Sequence, residues 1–298
     1  MKHFKSLTEL HRAQGFTPPE NPLVSVFRCT EAQRCAILET EFSGDFYMIG
    51  FKKMRSGMFL YGRTKYDHDN GSLSFVKPRQ VIQFKDLELE EDGFIIFFHE
   101  DYLNGHPLHD EIRRYGFFEY DVNEALHLSP KEEETIWELY HKIEGENGGN
   151  LDEYSRDITL SHIDSILKYA QRFYKRQFIH RSTASGKMDG RFQKALSTYF
   201  EDGLLQTQGL PTVSYMAAQL HISAKYLSDQ LKEETGKTAL ELIHISLIGE
   251  AKNKLKGVDH SVGEIAYSLG FENLPYFSRL FKKEVGMTPK EYKKQHLN

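Results

Sequence analysis

The sequence predicts an α+β protein in two domains: a β-barrel or jelly roll followed by a helical pair, then an all-helical half carrying a doubled helix-turn-helix unit. Three observations lead there. Up to about residue 125, short aromatic and β-branched runs alternate with Gly and Asp/Asn breaks. From Ser129 onward, apolar residues recur at helical spacing. A stretch beginning near residue 216 then recurs, almost in register, about fifty positions later.

In chain order, the expected strands are CAILETEF (35–42), DFYMIGFKKM (45–54), GMFLYGRTKY (57–66), GSLSFVKPRQVIQF (71–84) and GFIIFFHE (93–100). Many short strands of this kind favour a barrel or jelly roll over a helix-covered parallel sheet. At Ser129-Pro130-Lys131-Glu132 the pattern changes to an N-cap, a first-turn proline and a capping-box glutamate. Ile136, Leu139, Tyr140 and Ile143 line the helix that follows, and GENGGN (145–150) reads as a loop. A second helix places Ile163, Ile166, Leu167, Ala170, Phe173 and Tyr174 on one stripe. Helices joined so closely pack as an antiparallel pair. That pair either covers the sheet or forms a dimer seam. RSTASGKMDGR (181–191) is small, polar and glycine-containing, which suits an interdomain linker. The expected division is therefore 1–128 for the β domain, 129–180 for the helical pair, 181–190 for the linker and 191–298 for the helical half.

The totals bound the function classes. A chain of 298 residues, 39% hydrophobic and 27% charged, can bury two cores. No apolar run is long enough to span a bilayer, and MKHFKSLTELHRAQGF lacks the apolar core of a secretory signal. Cys29 and Cys35 make no disulfide framework, which suits a reducing cytoplasm, and two thiols are too few for a metal site. The net charge of −5 is unevenly placed: residues 206–298 carry 12 Lys+Arg against 10 Asp+Glu, and residues 1–205 carry 26 against 33. Arg279, Lys282, Lys283, Lys290, Lys293 and Lys294 concentrate basic charge near the end, facing only Glu284 and Glu291 in that stretch.

The repeat is the most informative feature. Ile265, Ala266 and Leu269 line one short helix, Gly270 turns the chain, and Phe277, Leu280, Phe281 and Val285 line the next. Alone, this could be a plain α-hairpin. However, YLSDQLKEETGKT (226–238) matches YFSRLFKKEVGMT (276–288), and MAAQLHI (216–222) matches IAYSLGF (265–271), with one residue gained in the second turn. Thr238-Ala239-Leu240-Glu241 and Thr288-Pro289-Lys290-Glu291 are both capping boxes behind a helix-ending glycine, and Ser261-Val262-Gly263-Glu264 is a third. Between the units, Leu240, Ile243, Leu247, Ile248, Ala251 and Leu255 mark a connecting helix.

Residues 206–298 resemble the double helix-turn-helix domain of AraC-type transcription regulators, most specifically in EIAYSLGF…YFSRLFKKEVGMTPKEY. The resemblance implies a seven-helix DNA-binding domain with two recognition helices on one linker helix. It also implies a cupin-type sensor domain in front, where PRQVIQF and FHEDYLNGHPL look similar to segments of such sensors. The partners it implies are double-stranded promoter DNA, a small-molecule effector, RNA polymerase and a second copy of the chain. No enzyme activity and no cofactor are expected. Departures are His221 in place of a turn glycine, which predicts a looser first turn, Asp229 opposite Arg279, Leu247 in place of an arginine, and Pro275 early in the second recognition helix.

The outward positions of the first recognition helix are Ser223, Ala224, Lys225, Ser228, Asp229 and Lys232; those of the second are Glu272, Asn273, Leu274, Ser278, Arg279 and Lys282. They are either DNA contacts or a solvated charged face. Arg279 suits guanine or phosphate, and Asn273 suits a helix cap. Tyr226, Leu227, Tyr276 and Phe277 read as buried or partly buried rather than base-stacking. In the front half, His99, Glu100, Asp101, His106, His109 and Asp110 crowd together without a His-x-His pair, so no metal site is assigned. Aromatics such as Phe46, Tyr47 or Tyr61 would suit a ligand-binding mouth, though no effector residue is assigned. The alternatives are a cupin enzyme fused to a DNA-binding module, and a regulator whose front domain serves only dimerisation.

Overall fold

The computed structural model describes residues 2–29, 41–52, 60–61, 64–65, 71–83, 93–121, 124–149, 151–184, 188–256 and 260–296. The chain divides into two compact units, Met1–Gln177 and Phe178–Asn298.

The first unit runs β1 (Lys2–Phe4), α1 (Leu7–Gln14), β2 (Val24–Cys29), β3 (Glu41–Gly44), β4 (Phe46–Lys52), β5 (Leu60–Tyr61), β6 (Thr64–Lys65), β7 (Ser72–Val76), β8 (Ile82–Gln83) and β9 (Gly93–His99). Then come α2 (Leu108–Glu111), β10 (Leu126–His127), α3 (Pro130–Asn147) and α4 (Ser155–Ala184). An antiparallel sheet has the order β10-β7-β4-β9-β2. A smaller sheet, β1-β3-β8, pairs β1 with β3 in parallel, and β5 pairs with β6. Among the described residues these strands close no barrel; CAILETEF lies outside them except for its last two residues.

Strand alternation gives the large sheet two apolar faces. One face (Phe46, Met48, Val76, Phe97) shares a core with Phe4 and Phe42 of the small sheet and with Leu7 and Leu10 of α1. Phe46 thus lies in the core rather than at a mouth, while Tyr47 is half-buried and stacks on Phe98. Tyr61 has no described side chain. His11 pins α1 to this core: its Nδ1–H donates to the Thr17 carbonyl, and its Nε2 accepts from Ser25 Oγ at 2.9 Å. Burial lowers its pKa.

The helical pair covers the other face. Tyr140 stacks on Phe94 at 4.3 Å, Trp137 meets Phe51 and Phe94 edge-on, and Tyr174 stacks on Phe117, which abuts Phe75. Ile163, Ile166, Leu167 and Ala170 are fully buried as the spacing predicts. Arg176, far along α4, grips Glu132 at the start of α3 in a two-pronged pair, both contacts at 2.9 Å, so the helices run antiparallel. Glu132 also accepts from Ser129 N at 2.8 Å, completing the expected capping box. The loop expected at 145–150 starts later: α3 continues through Asn147 and ends at Gly148.

The second unit holds the rest: α5 (Met188–Glu201), α6 (Leu204–Thr207), α7 (Val213–Gln219), α8 (Ala224–Thr235), α9 (Ala239–Leu255), α10 (Val262–Ser268), α11 (Leu274–Val285) and α12 (Pro289–His296). Of the expected 181–190 linker, residues 185–187 lie outside the described residues. Residues 181–184 continue α4 and 188–190 open α5, because Arg-Ser-Thr-Ala contains no residue that stops a helix. The four-residue α6 is additional to the seven helices the resemblance implies. The Tyr199 hydroxyl donates to the Gly209 carbonyl at 3.0 Å and holds that segment against α5.

Candidate nucleic-acid interface

Two short helix pairs, α7–α8 and α10–α11, repeat each other bond for bond. In the first turn, Leu220 N donates to the Met216 and Ala217 carbonyls, His221 N to Ala218, and Ile222 N to Ala217. In the second, Leu269 N donates to Ile265 and Ala266, Gly270 N to Tyr267, and Phe271 N to Ala266. All these bonds lie between 3.0 and 3.2 Å. His221 does not loosen its turn. It adopts the left-handed conformation at φ 57°, as Gly270 does at φ 81°. The residue gained in the second unit is Glu272, between Phe271 and the N-cap Asn273; in the first unit Ser223 follows Ile222 directly.

Both second helices are 12 residues long and end at left-handed glycines, Gly236 and Gly286. Each is followed by a capping box of near-identical dimensions. Thr238 N and Thr288 N donate to Glu241 and Glu291 at 2.8 Å, and the two glutamate N–H groups donate back to the threonine hydroxyls at 3.3 Å. In all three of the unit's Thr/Ser–Glu boxes the backbone N–H bond holds the glutamate pKa below its usual range. Between the units, α9 buries Ala239, Leu242, Ile243, Leu247, Ile248, Ala251 and Leu255, and it packs against both α8 and α11. Leu240, expected on that stripe, is half exposed, because the buried face starts one residue earlier at Ala239.

The twelve expected contact residues separate into those holding the unit together and those facing outward. Ser223 and Asn273 are N-caps, accepting from Tyr226 N at 3.2 Å and Tyr276 N at 2.9 Å. Ala224 and Leu274 are the first helical residues, both half-buried. Ser228 accepts from Ala239 N at 3.4 Å and joins α8 to the start of α9, while Ser278 is half-buried on α11. Lys232, Glu272, Arg279 and Lys282 are exposed. Lys225 and Asp229, one helical turn apart, form an ion pair at 3.0 Å. Tyr226, Leu227 and Phe277 are fully buried. Tyr276 is more open, with its hydroxyl 3.3 Å from His244 Nε2 on α9, and burial lowers the His244 pKa.

Two supports could not be read from local sequence. The Glu234 carboxylate accepts from Met188 N at 3.2 Å and Asp189 N at 3.0 Å, capping α5 from the end of α8. The second turn is backed by the 205–209 segment: a Cβ at Gly270 would lie 2.8 Å from the Leu205 carbonyl oxygen and 2.9 Å from Gly209 C. In the first unit, the histidine cluster serves local geometry. His99 accepts from Asp101 N and His106 from Leu108 N, both at 3.1 Å, while His109 lies beside Asp110. Among the described residues no group of three or more His, Cys, Asp or Glu is placed to hold a metal, and no helix is long and apolar enough to cross a membrane.

Residues 216–295 match a family model described as a helix-turn-helix domain. An HTH-type transcriptional regulator of Bacillus subtilis, YfiF, itself uncharacterised, is 25% identical over 251 residues, covering 82% of this chain and 75% of that protein. The xylose operon regulatory protein of Haemophilus influenzae is 38% identical over 81 residues, which are 27% of this chain and 21% of that one. Among solved structures, a DNA-binding transcriptional dual regulator of Escherichia coli K-12 aligns with 36% of this chain and 92% of its own, at 23% identity and a TM-score of 0.31. Residues 216–295 are thus a helix-turn-helix domain, and the similar proteins named above are described as transcription regulators. The unit that precedes this domain is β-rich.

Proposed function

We propose that the chain binds promoter DNA sequence-specifically by laying α8 and α11 in successive major grooves, under the control of a small molecule bound in the first unit. The equivalence of the two helix pairs in turn, cap and stop is the observation that carries this reading. Two identical presentation devices sharing one buried rod suit two successive grooves on one face of a duplex, about 34 Å apart. Phosphate contacts then come from Lys232, Lys282 and their basic neighbours, and base contacts from the outward residues of both helices. Arg279, exposed in the middle of α11, is the strongest base-reading candidate. Arg279→Ala is expected to weaken specific binding by roughly 1–3 kcal/mol, measured by gel shift at fixed salt. Unchanged affinity would remove Arg279 from the reading set.

In the first unit, two sheets around an aromatic core support a cupin-like sensor. Exposed Leu151, Tyr154 and Ile158, at and just before the start of α4, support dimerisation through the helical pair. An effector acts by binding the two functional states of the regulator unequally, and the coupling is reciprocal. Operator DNA should therefore raise or lower effector affinity by the same factor. Thermal-shift screening of metabolites, followed by DNA titration with and without each hit, tests this. A ligand that stabilises the chain without changing DNA affinity would reduce the first unit to a dimerisation module.

A further inference from the structure

We propose that the Lys225–Asp229 pair reads a G·C base pair, with Asp229 accepting from the cytosine N4 amino group and Lys225 donating to guanine O6 or N7. The two recognition helices then read different bases. The proposal rests on the reading of α8 as a groove-entering helix and assigns its specificity.

The matched caps make the comparison between helices quantitative. Counting from the N-caps, Ser223 on α8 and Asn273 on α11, the sixth residue is Asp229 on one helix and Arg279 on the other. Both helices have 12 residues and the same stop, so this position has the same place on each. The charge is opposite. A carboxylate on a groove-facing helix is repelled by the phosphates on either side, and it is tolerated there when a base amino group donates to it. In the major groove only cytosine N4 and adenine N6 are donors. The neighbouring cation chooses between them. Lys225 Nζ lies 3.0 Å from Asp229 Oδ1, one turn nearer the helix N-terminus. An ammonium carries three donors, so this contact leaves capacity for a base. Guanine presents two adjacent acceptors beside the cytosine amino group, matching a cation next to a carboxylate; an A·T pair interposes a donor between its acceptors. Both side chains are partly exposed, at 40% and 27%, as groove-reading residues of a free protein must be. At the matched place on α11, Arg279 has the fork that pairs with guanine O6 and N7. The operator should therefore be two unlike half-sites, with cytosine where the other half-site has guanine on the corresponding strand.

The test is selection from a random DNA pool by the full chain, its Asp229→Ala variant and the isosteric Asp229→Asn variant, with thermal melting to verify folding. The wild type should select a bipartite site. Asp229→Ala should lose its preference at one G·C pair of one half-site, by roughly five- to a hundredfold, and leave the other positions unchanged. Asp229→Asn should move that preference toward adenine, which Asn pairs with at N6 and N7. If Asp229→Ala instead binds all sequences more tightly with a steeper salt dependence, Asp229 only opposes the phosphate field and the proposal is overturned. Unchanged base preference in both variants overturns it equally, while a wild type that selects any defined site leaves the DNA-binding reading standing. Selection of no sequence by the wild type would overturn both.

Discussion

His221 and Gly270 hold the same left-handed corner in the two helix pairs, yet only one of them has to be glycine. The sequence marks His221 as a departure, and a looser turn is the natural expectation. In the structure the first turn closes with the same hydrogen bonds as the second, because a single non-glycine residue can adopt positive φ at a cost of about 1–2 kcal/mol. His221 is exposed, so its side chain has room. Gly270 has none: the Leu205 carbonyl and Gly209 occupy the space a Cβ would take. His221→Gly is therefore expected to be neutral or to stabilise the unit by about 1 kcal/mol in urea denaturation. Gly270→Ala should destabilise it by well over that amount, since backbone atoms on both sides must move. Equal effects at the two positions would show that φ alone, not the α6 segment, sets the glycine requirement. The positive φ was legible from the repeat. The backing by residues 205–209 was not, because it joins segments more than sixty positions apart.

At the scale of elements, caps and stops were the most readable signals. Ser129, Thr238, Ser261 and Thr288 all start helices with reciprocal glutamate bonds, because those motifs satisfy end groups within four residues. The same Ser-x-x-Glu spacing stands at Ser6-Leu7-Thr8-Glu9, where Ser6 caps α1 by accepting from Glu9 N, and that helix ends at Gly15 in the left-handed region. β2 was missed, since VSVFRC is short and its pairing with β9 lies some seventy residues away. The capping boxes also set a pH response. Glu241, Glu264 and Glu291 have folded-state pKa values below 4.5, first because a backbone N–H donates to each carboxylate. A lowered folded pKa contributes stability above the unfolded value, and that stability is lost as pH falls through the folded one. The second unit should thus lose stability progressively as pH drops below about 4.5, the ordinary glutamate range. Replacing all three with glutamine keeps a hydrogen-bond acceptor and removes the titration. Melting curves from pH 7 to pH 3 should then show a shallower decline for the triple variant; an identical decline would assign acid sensitivity to other carboxylates.

Across the molecule, charge is unevenly placed, with the acidic excess in the first 205 residues and the local basic field at the end of the chain. The helical half was legible because its repeat encodes both pairs and the rod between them. The sheet order was not, since strand pairing is decided by contacts distant in sequence. The rod leads to the last prediction. α9 presents a nearly continuous buried stripe from Ala239 to Leu255 and packs against both α8 and α11. Over 17 residues it is about 25 Å long, at 1.5 Å per residue. A helix that is itself core cannot slide or flex without opening both helix pairs, so the separation and rotation of α8 and α11 are fixed within one chain. Two modules on a flexible tether would tolerate extra DNA between their half-sites whenever a whole turn restored the phase. A rigid pair would not. Inserting five base pairs between the selected half-sites rotates them by about half a turn, and inserting ten restores phase but adds about 34 Å. Both insertions should reduce affinity to that of a single half-site in a gel-shift titration at constant salt. Recovery with ten base pairs but not five would mean that the two recognition helices engaging the site belong to different chains, and that α9 does not set the spacing.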